Sequence, residues 1–131
     1  MRLSRPSRIR RDLVTSRWVI WSLSLLVWTG MLCVPGSEIQ RVTSDWEWTR
    51  RVIVAKTLHV AAYAYLAVLT GWLFVPLRYR WLMVFVLMAH ATATETVQPF
   101  LGRTGMLTDV GLDQIGILLG LLISWKWWTR T

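Results

Sequence analysis

Cysteine is nearly absent from this chain: Cys33 is the sole one. A disulfide within the chain and a cysteine-based metal cluster are both excluded, and Cys33 reads as a small apolar residue in a helix. Histidine is scarce too, with only His59 and His90. No H-x-x-x-H or H-E-x-x-H spacing occurs, so neither a metal site nor a cofactor is expected. No G-x-S-x-G and no cysteine near His59 are present, which removes the familiar signatures of nucleophilic catalysis. Internal repeats and low-complexity segments are missing as well. Acidic residues number 7 against 15 basic ones, for a net charge of +8.

What fills the chain instead is apolar. Hydrophobic residues make up 54% of 131 positions and charged residues 17%. That balance fits one membrane domain better than a soluble one. The 10 tryptophans fit the same environment, because an indole has an apolar body and a polar N–H suited to the membrane interface. Six arginines (Arg2, Arg5, Arg8, Arg10, Arg11 and Arg17) crowd the N-terminus, directly before "WVIWSLSLLVW". A basic run against an apolar run reads as a cytoplasmic membrane flank, and no nucleic-acid partner is expected. Residues 1–17 are therefore expected as a basic cytoplasmic tail. No A-x-A cleavage pattern follows, so the first apolar run is expected to stay as a transmembrane helix.

Four apolar runs follow, over residues 18–35, 57–77, 81–100 and 110–125, giving a single four-span domain over 18–128. Pro35 with Gly36, Pro76 with a tight basic turn at 78–80, and Pro99 with Gly102 separate them. Ser44 or Asp45 is expected to cap a short interfacial helix in the 37–55 connection. Lys126, Trp127, Trp128 and Arg130 read as an interfacial anchor. Ten of the fifteen basic residues would lie on one side if both termini and the 78–80 turn share it. The positive-inside rule makes that side cytoplasmic. The expected fold is all-α: an integral membrane four-helix bundle with both termini inside.

This topology brings polar groups of three helices to the outer level. Lys56, His59 and Tyr63 share one helical face by their spacing; so do Glu95 and Gln98, and so do Asp109, Asp113, Gly116 and Gly120. Arg103 sits in the connection between the last two spans. Gly116 and Gly120 form a small-xxx-small pattern that lets a neighbouring helix approach closely. Buried charges in a membrane are costly unless they face a bundle interior or water. A polar cleft opening outward between these helices follows. Glu95 either ties the bundle together by pairing with His59, Lys56 or Arg103, or serves a ligand or chemistry; the spacing leaves both open. Asp109 reads equally as an N-cap. His90, with no charge within one turn, is expected as a packing residue, and the spans' Met and Trp residues as core or lipid-facing.

In order along the chain, "KTLHVAAY" (Lys56 to Tyr63), "ETVQ" (Glu95 to Gln98), "RTGMLTD" (Arg103 to Asp109) and "GILLG" (Gly116 to Gly120) resemble the motifs of the VanZ-like family of small bacterial membrane proteins. The resemblance covers about residues 56–120. Two positions depart from the pattern: Ala55 stands where an aspartate is usual, and Asp113 where an asparagine is usual. The resemblance implies a multi-pass inner-membrane protein. Its named member looks like an accessory factor in teicoplanin resistance. The favoured reading is thus an outward-facing cleft binding a cell-envelope component such as a lipid-linked precursor, with Lys56 and Arg103 meeting phosphate or carboxylate. One rival is an accessory subunit of a larger membrane complex, docking through Trp18, Trp21 and Trp28. The other is an enzyme acting on a lipid-linked envelope precursor with His59 and Glu95 as acid and base; the non-enzymatic reading is preferred.

Overall fold

Prolines set the breaks between helices. Pro35 and Pro76 stand just before two helices in extended conformations, where a fixed φ and a missing N–H cost nothing. The computed structural model describes residues 8–103 and 107–129, with side chains from Asp12 onward. The basic residues Arg2, Arg5 and Arg130, and the side chains of Arg8, Arg10 and Arg11, lie outside what is described. The helices are α1 (Arg8–Leu32), α2 (Gly36–Val42), α3 (Trp48–Trp72), α4 (Leu77–Val97), α5 (Leu107–Ile123) and α6 (Trp125–Trp128), with a 3₁₀ turn at Gln98–Leu101. No strand occurs among the described residues, so the chain is all-α.

Several boundaries differ from expectation. The segment expected as a tail is already helical from Arg8. The 37–55 connection holds α2 and the first two turns of α3. Ser44 and Asp45 cap nothing: they lie in the turn between α2 and α3, where the Ser44 hydroxyl bonds Asp45 instead, and α3 begins after Glu47. Arg78 and Arg80, expected in a turn, lie in the first turn of α4. Trp21 and Trp28 are 7% and 8% exposed and pack inward, so of the three tryptophans expected to dock on a partner only Trp18 is available. The Trp21 indole donates to the Thr70 hydroxyl on α3 at 2.9 Å.

Arginines finish several helices. The last carbonyls of a helix lack intrahelical partners and carry its negative end. Arg103 donates to the Leu32 carbonyl at the end of α1 (2.7 Å), and Arg17 to the Trp72 carbonyl at the end of α3 (2.6 Å). The Arg17 guanidinium also lies over the Trp72 and Phe74 rings.

α3 is central, and its most extensive contact is with α5. Gly116 and Gly120 make that approach possible. A Cβ on Gly116 would fall 2.5 Å from the Val60 carbonyl oxygen, and one on Gly120 would meet the Ala64 carbonyl oxygen closer still. Tyr63, Leu66, Leu73, Leu87 and Ile117 fill the core around the seam. By length and composition, α3 is the one described helix that can cross a membrane by itself. α1 together with α2 passes only as a pair, bent by 87°. α4 carries Arg78, Arg80 and Glu95, and α5 has 17 residues, about 25 Å of helix.

Gly120→Ala is expected to lower stability by about 1–3 kcal/mol through overpacking of the seam. Thermal unfolding of the detergent-solubilised protein, followed by circular dichroism, checks this; an unchanged midpoint contradicts the close approach.

Candidate functional site

The polar residues of α3, α4 and α5 converge because each occupies its helix's inward face near the same level. His59 and Glu95 are 5% exposed and Asp113 is wholly buried. His59 Nδ1 lies 2.9 Å from Asp113 Oδ1 and 3.9 Å from Glu95 Oε1. Asp113 Oδ2 is buried and has no hydrogen-bond partner among the described residues. Gln98 donates through Nε2 to Glu95 Oε1 at 2.8 Å, one helical turn away. The direct partner of His59 is thus Asp113 rather than Glu95. A hydrogen-bonded carboxylate at Nδ1 fixes the orientation of an imidazole.

The cluster continues across the bundle through a residue that sequence reasoning set aside. His90, expected as a packing residue, joins two helices to α4: its Nδ1 lies 3.0 Å from the Tyr63 hydroxyl on α3, and its Nε2 lies 2.8 Å from the Thr29 hydroxyl on α1. The only hint in the sequence was its distance from any charge, which pointed the other way; its partners lie on other helices. The Trp28 ring stands edge-on to both His59 and Tyr63, with centroids 5.5 and 6.2 Å away.

The remaining expected site residues separate from this core. Lys56 pairs with Asp109 at 2.7 Å, joining the third turn of α3 to the first turn of α5 with both groups partly exposed. Asp109 therefore belongs to an ion pair in the first turn of α5, not to an N-cap. Arg103 serves the end of α1. Burial lowers its pKa from the ordinary guanidinium value, opposed by the negative charges of Glu95 and Asp109. Gly116 and Gly120 act in helix packing, as described above.

Beside the cluster lies a pocket of about 290 Å³, walled mainly by apolar residues of α1, α2 and α3, including Met31, Leu32, Ile39, Val54 and Leu58. His59 and Trp28 form part of its lining, and so do Arg51 and Arg103. Arg51, which lies in the 37–55 stretch between the first two apolar runs, pairs with no carboxylate among the described residues, and its Nε is buried without a partner. Its value for a site was invisible because the pocket exists only where residues of α1, α2 and α3 come together.

The family model for VanZ/LLP1 matches residues 5–129, nearly the whole chain, and the chain belongs to that family. Among curated proteins and solved structures, no significant match was found.

Tyr63→Phe leaves His90 without its α3 partner and is expected to cost about 1–3 kcal/mol. Lys56→Met, breaking a pair at the edge of the bundle, is expected to cost less than about 1 kcal/mol. Denaturant unfolding of the two variants checks this order, and a reversal contradicts the division between buried core and exposed rim.

Proposed function

We propose that this VanZ/LLP1 family protein is a multi-pass bacterial inner-membrane protein that holds an anionic amphiphile of the cell envelope, such as a lipid-linked precursor, in the pocket beside His59. α1, α3, α4 and α5 are the spans, and both termini are cytoplasmic. Large apolar side chains lie exposed on all four of these helices: Leu23, Leu26 and Val27 on α1, Ile53 and Leu58 on α3, Phe85 on α4, and Leu118, Leu122 and Ile123 on α5. Water disfavours so continuous an apolar surface, whereas lipid accepts it. Basic residues at the expected inner ends support the orientation.

The pocket carries the functional reading. Its walls accept hydrocarbon, and Arg51 and Arg103 supply donors for phosphate or carboxylate. An apolar chain with an anionic head matches both properties, and under this topology the pocket lies at the outer end of the bundle. The cation expected to meet the headgroup shifts accordingly: Lys56 is engaged by Asp109, and Arg51 takes its place beside Arg103. Occupancy by an envelope precursor would alter sensitivity to glycopeptides of the teicoplanin type, which act outside the membrane.

Arg51→Gln is expected to leave thermal stability unchanged, since Arg51 pairs with no carboxylate among the described residues. It should also reduce co-purified anionic lipid at least tenfold, consistent with loss of a charge-assisted contact of about 1.5–3 kcal/mol. Native mass spectrometry of the gently solubilised protein measures this. Equal lipid retention sinks the reading, and recovery in a stoichiometric larger complex points to the accessory-subunit role. A reporter fused after Thr131 that is active only outside the cytoplasm overturns the orientation.

A further inference from the structure

We propose that His59, Glu95 and Asp113 form a binding site for one divalent transition-metal ion of the zinc or manganese kind. The inference does not rest on the amphiphile reading. Three helices each deliver one ligand: α3 an imidazole, α4 and α5 a carboxylate each. One ligand atom from each residue can be chosen so that all lie within 4.8 Å of one another, with two of the separations 2.9 and 3.9 Å. Nitrogen and oxygen ligands about 2.1 Å from one ion stand about 3–3.5 Å apart. Closing the cluster on an ion therefore needs only small side-chain movements.

A second observation points to a ligand. The Asp113 carboxylate is wholly buried and directed at His59, yet its Oδ2 has no hydrogen-bond partner among the described residues. A plain histidine–aspartate hydrogen bond satisfies Oδ1 and leaves Oδ2 at the full cost of desolvation. A cation bound through both Asp113 oxygens removes that cost. Two carboxylates and a neutral imidazole sum to the charge that a divalent ion balances. Gln98 holds Glu95 Oε1, the kind of outer-shell bond that orients a ligating carboxylate. One imidazole with two carboxylates and no thiolate suits zinc or manganese, not copper(I). The three ligands leave coordination positions open.

The absence of paired-histidine motifs gave no expectation of a metal, because such motifs report ligands on one helix and here each helix contributes one. The test uses the full chain, purified in mild detergent without chelators. Metal content is measured by mass spectrometry, and Zn²⁺ affinity by competition with a chromophoric chelator. One saturable site per chain is expected. Asp113→Asn and Glu95→Gln should each weaken it at least tenfold with helicity unchanged, and Cys33→Ser, which removes the exposed thiol, should leave it intact. Asp113→Asn keeps a hydrogen-bond acceptor for His59, so a purely structural pair predicts no metal effect. No saturable uptake of Zn²⁺ or Mn²⁺ by the wild type overturns the proposal. So does uptake that survives both carboxylate substitutions or disappears with Cys33→Ser. Should one carboxylate variant fail to fold, the other decides. Lipid retention is read separately, so the two proposals fail independently.

Discussion

The close approach of α5 to α3 is the constraint on which the other features turn. With glycine at 116 and 120, the backbone of α5 comes within contact of the Val60 and Ala64 carbonyls. That closeness seats Asp113, one turn before Gly116, against His59, one residue before Val60. Any larger residue in the seam would separate the helices and pull the aspartate away from its only hydrogen-bond partner among the described residues. Packing and polar chemistry are therefore one geometric fact here. The same side of α5 that allows close contact also carries the buried charge.

Around this seam, polarity is layered. The innermost layer holds His59, Glu95, Gln98 and Asp113, all buried. His90 and Tyr63 extend it laterally to Thr29 on α1. Outside lie groups that reach solvent or a helix end: Lys56 with Asp109, and Arg103 on the Leu32 carbonyl. A buried polar group must find partners inside the bundle, whereas a rim charge can be solvated. The layering assigns different tasks to residues that look alike in the sequence. Lys56 and Arg51 are both cations near the start of α3. One is matched by an aspartate, and the other is left to face the pocket.

How much was legible depended on the range of the interaction. The helical periodicities of Lys56–His59–Tyr63, Glu95–Gln98 and Asp109–Asp113–Gly116–Gly120 are local, and each falls on one face as expected. The ordered motifs that suggested the family are local too, and the family match extends over nearly the whole chain. Pairings were less readable. Glu95 had three conceivable partners; it lies 3.9 Å from one of them, His59, and also bonds Gln98, which was not among them; His59 turned to Asp113; His90 proved a junction instead of a filler. Ser44 and Asp45 resembled a cap, but α3 begins only after Glu47, and no side chain caps it.

The sequence by itself determined that this chain is helical and apolar. It also determined that its few buried charges lie one face to a helix, because composition and a 3.6-residue period act within a few turns. Which of those charges meet was decided only by the tertiary structure. The packing of α3 against α5, the pocket shared by α1, α2 and α3, and the inward turn of Trp21 and Trp28 each depend on contacts between residues far apart in the chain. Electrostatic and packing energies are set by distance in space, and a sequence fixes that distance only once the helices have packed.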